Sequence, residues 1–203
     1  KYLPRLSTQE GQTLDRMTHT IIQQVEAMKE MVNTFSNYAR SPQMHWQAVD
    51  INQLIKDVVE LYQQEHSTIQ LHLDETLPLI EADRGRLRQS LHNLIKNALE
   101  AAPKLSPITV TSHYLAAPAL NCVELHIHDQ GSGIPETLIE KIFEPYVTTK
   151  TKGSGLGLAI VKKIVEEHHG MVWIANQGGA CVHIRLPICR PQAETHDSTY
   201  SRC

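Results

Sequence analysis

The sequence predicts an α/β fold: a two-layer sandwich with helices on one side of a largely antiparallel sheet, preceded by one separate amphipathic helix. Three observations predict it. Residues 14–39 contain no Gly or Pro and carry apolar side chains at helical spacing. Stretches at 51–65, 84–102 and 156–168 each read as a helix, the first two with an apolar face that can be listed residue by residue. Between and after them, runs at 69–74, 108–113, 123–128, 171–175 and 180–186 read as strands. Helices gathered on one face of such a sheet make two layers around one core.

Size and composition permit this. The 203 residues are enough for one full domain and a smaller element, and 41% hydrophobic with 20% charged residues allows a packed core. The net charge of −3, from 19 basic and 22 acidic residues, argues against a nucleic-acid binder. No apolar run approaches the ~18 residues that a membrane span needs, and no signal peptide is visible. Cys122, Cys181, Cys189 and Cys203 show no metal-ligand spacing, so reduced thiols in a cytosolic compartment are the simplest reading. A chain that starts at Lys1 rather than Met reads as a fragment.

Residues 1–11 are polar and read as a helix tail or a turn. Alternating steps of four and three from Leu14 pass through Thr18, Ile21, Val25, Met28, Val32, Phe35 and Ala39, and seven of these eight are apolar. Such a heptad seam must be buried against a partner. It fits one arm of a helical hairpin that dimerises as a four-helix bundle; the alternative is a helix packed on its own domain. Ser41-Pro42 ends it. The organisation is therefore 1–41 as part of a dimerisation domain, 42–49 as a linker, 50–189 as the main domain and 190–203 as a disordered tail.

Asp50 caps the next helix, whose face is Ile51, Leu54, Ile55, Val58, Val59 and Tyr62. Ile69, Leu71 and Leu73 alternate with polar residues as a half-buried strand. Asp83 caps the long helix, with Leu87, Leu91, Leu94, Ile95, Ala98 and Leu99 inward, and Pro103 closes it. Two strands follow, joined by a loop at 115–121. A short helix is predicted over 136–143 and a long polar loop over 144–154, of the kind that folds over a ligand. Gly170 is placed to end the last helix, and Gly178-Gly179 to turn the final hairpin.

The chemistry concentrates in 129–160. Asp129 ends a strand, beside Gly131 and Gly133, which leave room for a flat group; its carboxylate can accept from an exocyclic amine. Gly153, Gly155 and Gly157 open a helix, a site suited to phosphate. Asn93 and Asn97 lie one helical turn apart on one face. An amide oxygen at Asn97 suits Mg²⁺, a hard cation that takes one or two protein oxygens beside phosphate. Lys150 and Lys152 sit in the loop, and either can neutralise phosphate charge.

Asn93-x-x-x-Asn97, Asp129-x-Gly131-x-Gly133 and Gly153-x-Gly155-x-Gly157 in this order resemble the ATP-binding domain of sensor histidine kinases, with its Bergerat (GHKL) fold shared with gyrase, a heat-shock chaperone and mismatch-repair ATPases. Phe143-Glu144-Pro145-Tyr146 resembles the kinases' phenylalanine box, and residues 15–40 resemble the second dimerisation helix of the nitrogen-regulation type. The resemblance covers about residues 12–188. It implies ATP and Mg²⁺ as cofactors, with Asn97 as metal ligand. It implies nucleotide contacts from Asn93, Asn97, Asp129, Gly131, Gly133, Ile134, Phe143, Lys150, Gly153, Ser154, Gly155, Leu156, Gly157 and Leu158. Leu156 and Leu158 read more as packing than as contacts, and Phe143 as an anchor for the loop. The Thr-Thr-Lys stretch favours Lys150 over Lys152.

Asn93 stands where hydrolytic members of the superfamily carry a glutamate base. An amide cannot take a proton near neutral pH, so the site is expected to hold ATP for transfer to a histidine, with Asn93, Asn97 and Lys150 as the catalytic set. The family's His-Glu/Asp-x-x-Asn-Pro-like acceptor box is absent, and His19 is followed by Thr20 rather than an acid. The acceptor is expected outside this chain, which should not phosphorylate itself. The implied partners are a response-regulator receiver domain and a second copy of the full-length protein. The implied location is cytoplasmic, free or as the cytoplasmic portion of an inner-membrane sensor. A hydrolytic ATPase and a non-catalytic nucleotide-sensing dimerisation module are the alternatives.

Overall fold

The computed structural model describes residues 12–22, 24–25, 28–29, 43–62, 69–103, 106–117, 120–150 and 153–189. The chain forms two compact units, Lys1–Gln43 and Met44–Cys203. In the first, residues 12–22 form helix α1, and 24–25 and 28–29 are also helical. Leu14, Ile21, Val25 and Met28 of the seam are each more than half exposed. Thr18, its polar member, donates its hydroxyl to the Leu14 carbonyl at 2.8 Å, so that group is satisfied within the helix. The rest of the seam, the Ser41-Pro42 stop and the tail from 190 onward lie outside the described residues.

The second unit starts earlier than residue 50. The predicted linker contains strand β1 (Gln47–Val49), which pairs antiparallel with another unpredicted strand, β3 (Ile80–Ala82). Both are too short for periodicity to register: β1 buries only Val49, and β3 buries Ile80 and Ala82. The His45 N–H also donates to Asp83 Oδ2 at 2.9 Å, so residues 45–49 are integral to the domain.

Helix α2 (Ile51–Glu60) starts at its Asp50 cap, which accepts from the Gln53 N–H at 2.9 Å. It buries Ile51, Leu54, Ile55, Val58 and Val59, as the apolar spacing predicts. Residues 63–65, predicted to extend it, lie outside the described residues. Helix α3 (Arg84–Ala101) is capped by Asp83 and buries Leu87, Leu91, Leu94, Ile95 and Ala98. Leu99 is only partly covered, and Ser90 is buried as well.

Strands β2 (Ile69–Leu73), β4 (Ile108–Ala117), β5 (Leu120–His128), β6 (Met171–Asn176) and β7 (Ala180–Pro187) form one sheet in the order β2-β4-β5-β7-β6. Only β2–β4 is parallel. The β4–β5 hairpin continues to Ala117↔Leu120, through most of the predicted loop. Pairing of β5 with β7 out to Cys122↔Pro187 supports that extension, which Ala-rich ends do not announce. Helix α4 (Glu136–Ile139) is shorter than predicted, because Lys141 and Glu144 bond three residues back to Leu138 and Lys141 and turn the chain.

Helix α5 (Gly157–Glu167) ends with His169 in the left-handed region, φ 58°. Gly170 is needed for another reason than a C-cap: a Cβ there would lie 2.4 Å from the Arg185 carbonyl oxygen. Ile51, Leu87 and Leu91 meet Leu125, Ile184 and Leu186 around a small internal cavity, which fixes the sheet face that the helices cover. By strand alternation, Glu124, His126, His183 and Arg185 belong to the opposite face.

Candidate nucleotide site

Helix α3 organises the site. Asn93, Asn97, Glu100 and Ala101 lie along its C-terminal half and between them meet Gly157, Lys150 and Gly131. Asn93 Nδ2 donates to the Gly157 carbonyl at 3.4 Å. Asn97 Oδ1 accepts from Lys150 Nζ at 3.1 Å, and Glu100 forms an ion pair with the same ammonium. The Ala101 carbonyl oxygen lies 2.6 Å from where a Cβ on Gly131 would stand, so only glycine lets the first loop rest on the helix end.

Asp129 is 6% exposed at the end of β5. Its Oδ1 accepts from the Gly131 N–H at 2.8 Å and the Ala180 N–H at 3.2 Å. Two backbone donors on one oxygen orient the carboxylate, while Oδ2 receives no hydrogen bond among the described residues. Gly133 takes φ 73°, and the loop is then held by Asn176. The Ile134 N–H donates to Asn176 Oδ1 at 2.9 Å, and Asn176 Nδ2 donates to the Ile134 carbonyl at 2.7 Å.

The second glycine cluster leads into α5, whose first turn has no side-chain cap. The N–H groups of an uncapped helix start carry the positive end of the helix dipole and suit an anion. Gly155, φ 67°, packs on the backbone of Tyr146, whose N–H donates to its carbonyl at 3.0 Å. A Cβ on Gly155 would stand 2.5 Å from the Tyr146 carbonyl carbon. Ser154 Oγ accepts from the Leu156 N–H at 3.4 Å, and Leu156 is fully buried as packing, with Leu158 partly so. In the loop, Thr148 Oγ1 accepts from the Lys150 N–H at 3.0 Å. The apolar residue buried in the phenylalanine box region is Ile142, at 4% exposure, whereas Phe143 is partly exposed. Lys152 lies outside the described residues.

The structure thus brings Asn93, Asn97, Lys150 and Gly157 together, and sets Gly131 against the end of the same helix. Sequence reasoning missed Glu100, Asn176 and Gly179. Glu100 has a signal, lying three residues after Asn97 on the same face. Gly179 reads as half of a turn, but a Cβ there would fall 2.0 Å from the Asp129 carbonyl oxygen. Asn176 has no sequence signal, since a strand-end Asn is ordinary.

The donor types fit the implied ligands. Asn97 Oδ1 already holds a cation, the Lys150 ammonium, and a neutral amide oxygen beside phosphate oxygens suits Mg²⁺. Asp129 Oδ2 suits a base amine, and the bare α5 start suits phosphates.

The family described as "Histidine kinase-, DNA gyrase B-, and HSP90-like ATPase" matches residues 82–190. The chain is 36% identical over 200 residues to nitrogen regulation protein NtrY of Azorhizobium caulinodans, covering 95% of this chain and 26% of that protein. It therefore spans about a quarter of that relative's length. Among solved structures, the catalytic domain of histidine kinase ThkA is 35% identical, with a TM-score of 0.66, covering 72% of this chain and 98% of that one. Histidine kinase ThkA in complex with response regulator TrrA is 28% identical, with a TM-score of 0.76, covering 94% of this chain and 55% of that one. Among the described residues, no helix is long and apolar enough to cross a membrane.

Proposed function

Because the chain belongs to the histidine kinase-, DNA gyrase B- and HSP90-like ATPase family, we propose that it is the ATP-binding catalytic core of a sensor histidine kinase. It transfers the γ-phosphoryl group of ATP to a histidine for relay to a response-regulator aspartate. The observation that carries this reading is the convergence on α3: Asn93 and Asn97 meet the uncapped start of α5, Lys150 pairs with Asn97, and Gly131 rests on the helix end beside Asp129. The kinase–regulator complex among the similar structures supports the relay partner.

In this reading Asp129 Oδ2 accepts the adenine amine, with Gly131, Gly133 and Ile134 forming the floor. Asn97 Oδ1 would hold Mg²⁺, which would neutralise phosphate charge. Lys150 leaves Asn97 for the γ-phosphate, and the amides of Gly157 and Leu158 face the phosphate chain. Gly153, Ser154 and Gly155 shape the loop around it, and Phe143 with buried Ile142 anchors the loop's base. Asn93 holds Gly157 and has no proton-accepting group for water. The transferred group is thereby kept for an in-line protein nucleophile. The α1 stripe is the dimerising surface, and the working enzyme is a homodimer at the cytoplasmic side.

The test mixes the chain with the acceptor helix hairpin of a nitrogen-regulation kinase, ATP and Mg²⁺, and detects phosphohistidine on the hairpin. Transfer is expected. ATP bound without transfer would leave a nucleotide-sensing module, and inorganic phosphate released without transfer would leave a hydrolytic ATPase.

A further inference from the structure

The sheet face away from the helices carries a cluster that the nucleotide site does not use. His126 of β5 and His183 of β7 are direct cross-strand partners, and Glu124 lies two residues before His126 on the same face. One donor atom from each of Glu124, His126 and His183 lies within 4.8 Å of the others. His126 Nε2 and Glu124 Oε1 share a hydrogen bond of 2.8 Å. The other carboxylate oxygen, Oε2, accepts from Arg185 Nε at 2.9 Å and from its terminal nitrogen at 2.6 Å. The guanidinium thus fixes the carboxylate from behind and leaves Oε1 turned to the histidine.

His183 is the anomaly. It is 9% exposed, and among the described residues neither ring nitrogen has a hydrogen-bond partner. Trp173 stacks on one face of its ring at 5.0 Å between centroids, and His126 meets it edge-on at 4.3 Å. Buried polar atoms are nearly always paired, so an imidazole held this way, beside a histidine and an oriented carboxylate, lacks a partner. Burial lowers its pKa, which the nearby His126 lowers further and Glu124 opposes. A neutral imidazole has a lone pair to offer a metal.

We propose that Glu124, His126 and His183 form a binding site for a divalent zinc-class ion on the open sheet face, separate from the nucleotide pocket. Two imidazoles and one carboxylate with a fourth position open to solvent are a donor set suited to Zn²⁺ and unsuited to Mg²⁺ or Ca²⁺. Ligand atoms about 2.0–2.2 Å from zinc lie roughly 3.3–3.6 Å apart, so Glu124 Oε1 and His126 Nε2, now 2.8 Å apart, open by roughly half an ångström, while a pair near the 4.8 Å limit closes by somewhat more than that. Side-chain torsions of the part-exposed Glu124 and His126 can supply that. The ion replaces the hydrogen bond between them, and its proton leaves to solvent or moves to the other ring nitrogen of His126. Arg185 remains on Oε2 as the outer partner of the carboxylate.

The 203-residue chain, stripped with chelator, is titrated with Zn²⁺ in excess Mg²⁺, and with Co²⁺ as a spectroscopic probe. One Zn²⁺ per chain is expected, together with visible Co²⁺ bands of a four- or five-coordinate site. His183→Gln, His126→Gln and Glu124→Gln should each weaken Zn²⁺ by at least about tenfold, the lower end of what even outer-shell changes cost. His128→Gln and Cys189→Ser should leave it unchanged. The part-exposed Glu124 and His126 variants decide the matter if His183→Gln does not fold. No Zn²⁺ bound by the parent chain, or equal binding in the Glu124 and His126 variants, overturns the site.

Discussion

At the scale of single residues, Asp129 offers a clean substitution. Asp129→Asn keeps Oδ1 for the Gly131 and Ala180 N–H groups and turns only the outward oxygen into an amine. In the proposed pose, an amide NH₂ would then face the adenine amine, donor against donor, in place of the carboxylate oxygen. The lost charge-assisted bond is worth about 1.5–3 kcal/mol, so ATP affinity should fall by about tenfold to a hundredfold with the melting temperature nearly unchanged. Calorimetric titration checks this, and unchanged affinity would remove Asp129 from the base pocket. His168 makes a second case. It is 3% exposed, Nδ1 lies 2.7 Å from the Ile164 carbonyl, and Nε2 accepts from the Asp83 N–H at 2.9 Å. Burial holds its pKa below the ordinary 6.5; the Ile164 carbonyl, Asp83 and Glu167 oppose this and Arg86 reinforces it. The folded pKa lies below the unfolded one, so the unfolded chain takes the proton first as pH falls. Stability should be level above about pH 6.5 and drop below it, by at most ~1.4 kcal/mol per pH unit. His168→Gln, in chelator, should flatten that part of a denaturation-midpoint curve; an unchanged slope would assign it to other groups.

At the scale of elements, two glycines of the second cluster, Gly155 and Gly157, separate folding from binding. Gly155→Ala forces a side chain into the left-handed region and against Tyr146, at about 1–3 kcal/mol of strain in the loop. The loop should change shape, and ATP affinity should drop about tenfold or more while circular dichroism stays the same. Gly157 has no such constraint: the nearest atom to an added Cβ is Asn97 Nδ2 at 3.8 Å. Gly157→Ala should therefore melt like the parent, and any loss of affinity reports a phosphate lying against the α5 start. Equal affinity would mean that the phosphates bind elsewhere. The elements themselves divide the same way in how they could be read from sequence. Helices α2 and α3 were legible because an Asp cap leads into apolar spacing that repeats over several turns, and α5 because a helix-like run lies between Gly157 and Gly170. Strands β1 and β3 were not, because three residues hold no period and their pairing joins segments thirty residues apart. The cap of α5 was misread: Gly170 marked the right place, but His169 takes the left-handed turn and Gly170 serves the contact with β7.

At the scale of the whole molecule, the motifs picked out residues that the structure brings together around α3, because each glycine and asparagine type is tied to a chemical demand. They did not reveal what holds the site in shape. Asn176 and Gly179 act through contacts between elements, which nothing local in the sequence encodes, and Glu100 is marked only by its place one turn after Asn97. Every residue assigned to nucleotide lies in the unit Met44–Cys203, and none in Lys1–Gln43. That unit has its own core, its own β1–β3 pairing at the entry, and a solved counterpart in a catalytic domain that corresponds to 72% of this chain. Residues 44–203 alone should therefore fold cooperatively and bind ATP with the affinity of the full chain, as measured by calorimetry and thermal melting. Starting at residue 50 instead removes β1, exposes β3, and takes away the His45 N–H that satisfies Asp83 at the α3 cap. Since α3 carries Asn93 and Asn97, the shorter chain should melt lower and bind more weakly. Equal behaviour of the two truncations would show that residues 44–49 are a linker after all.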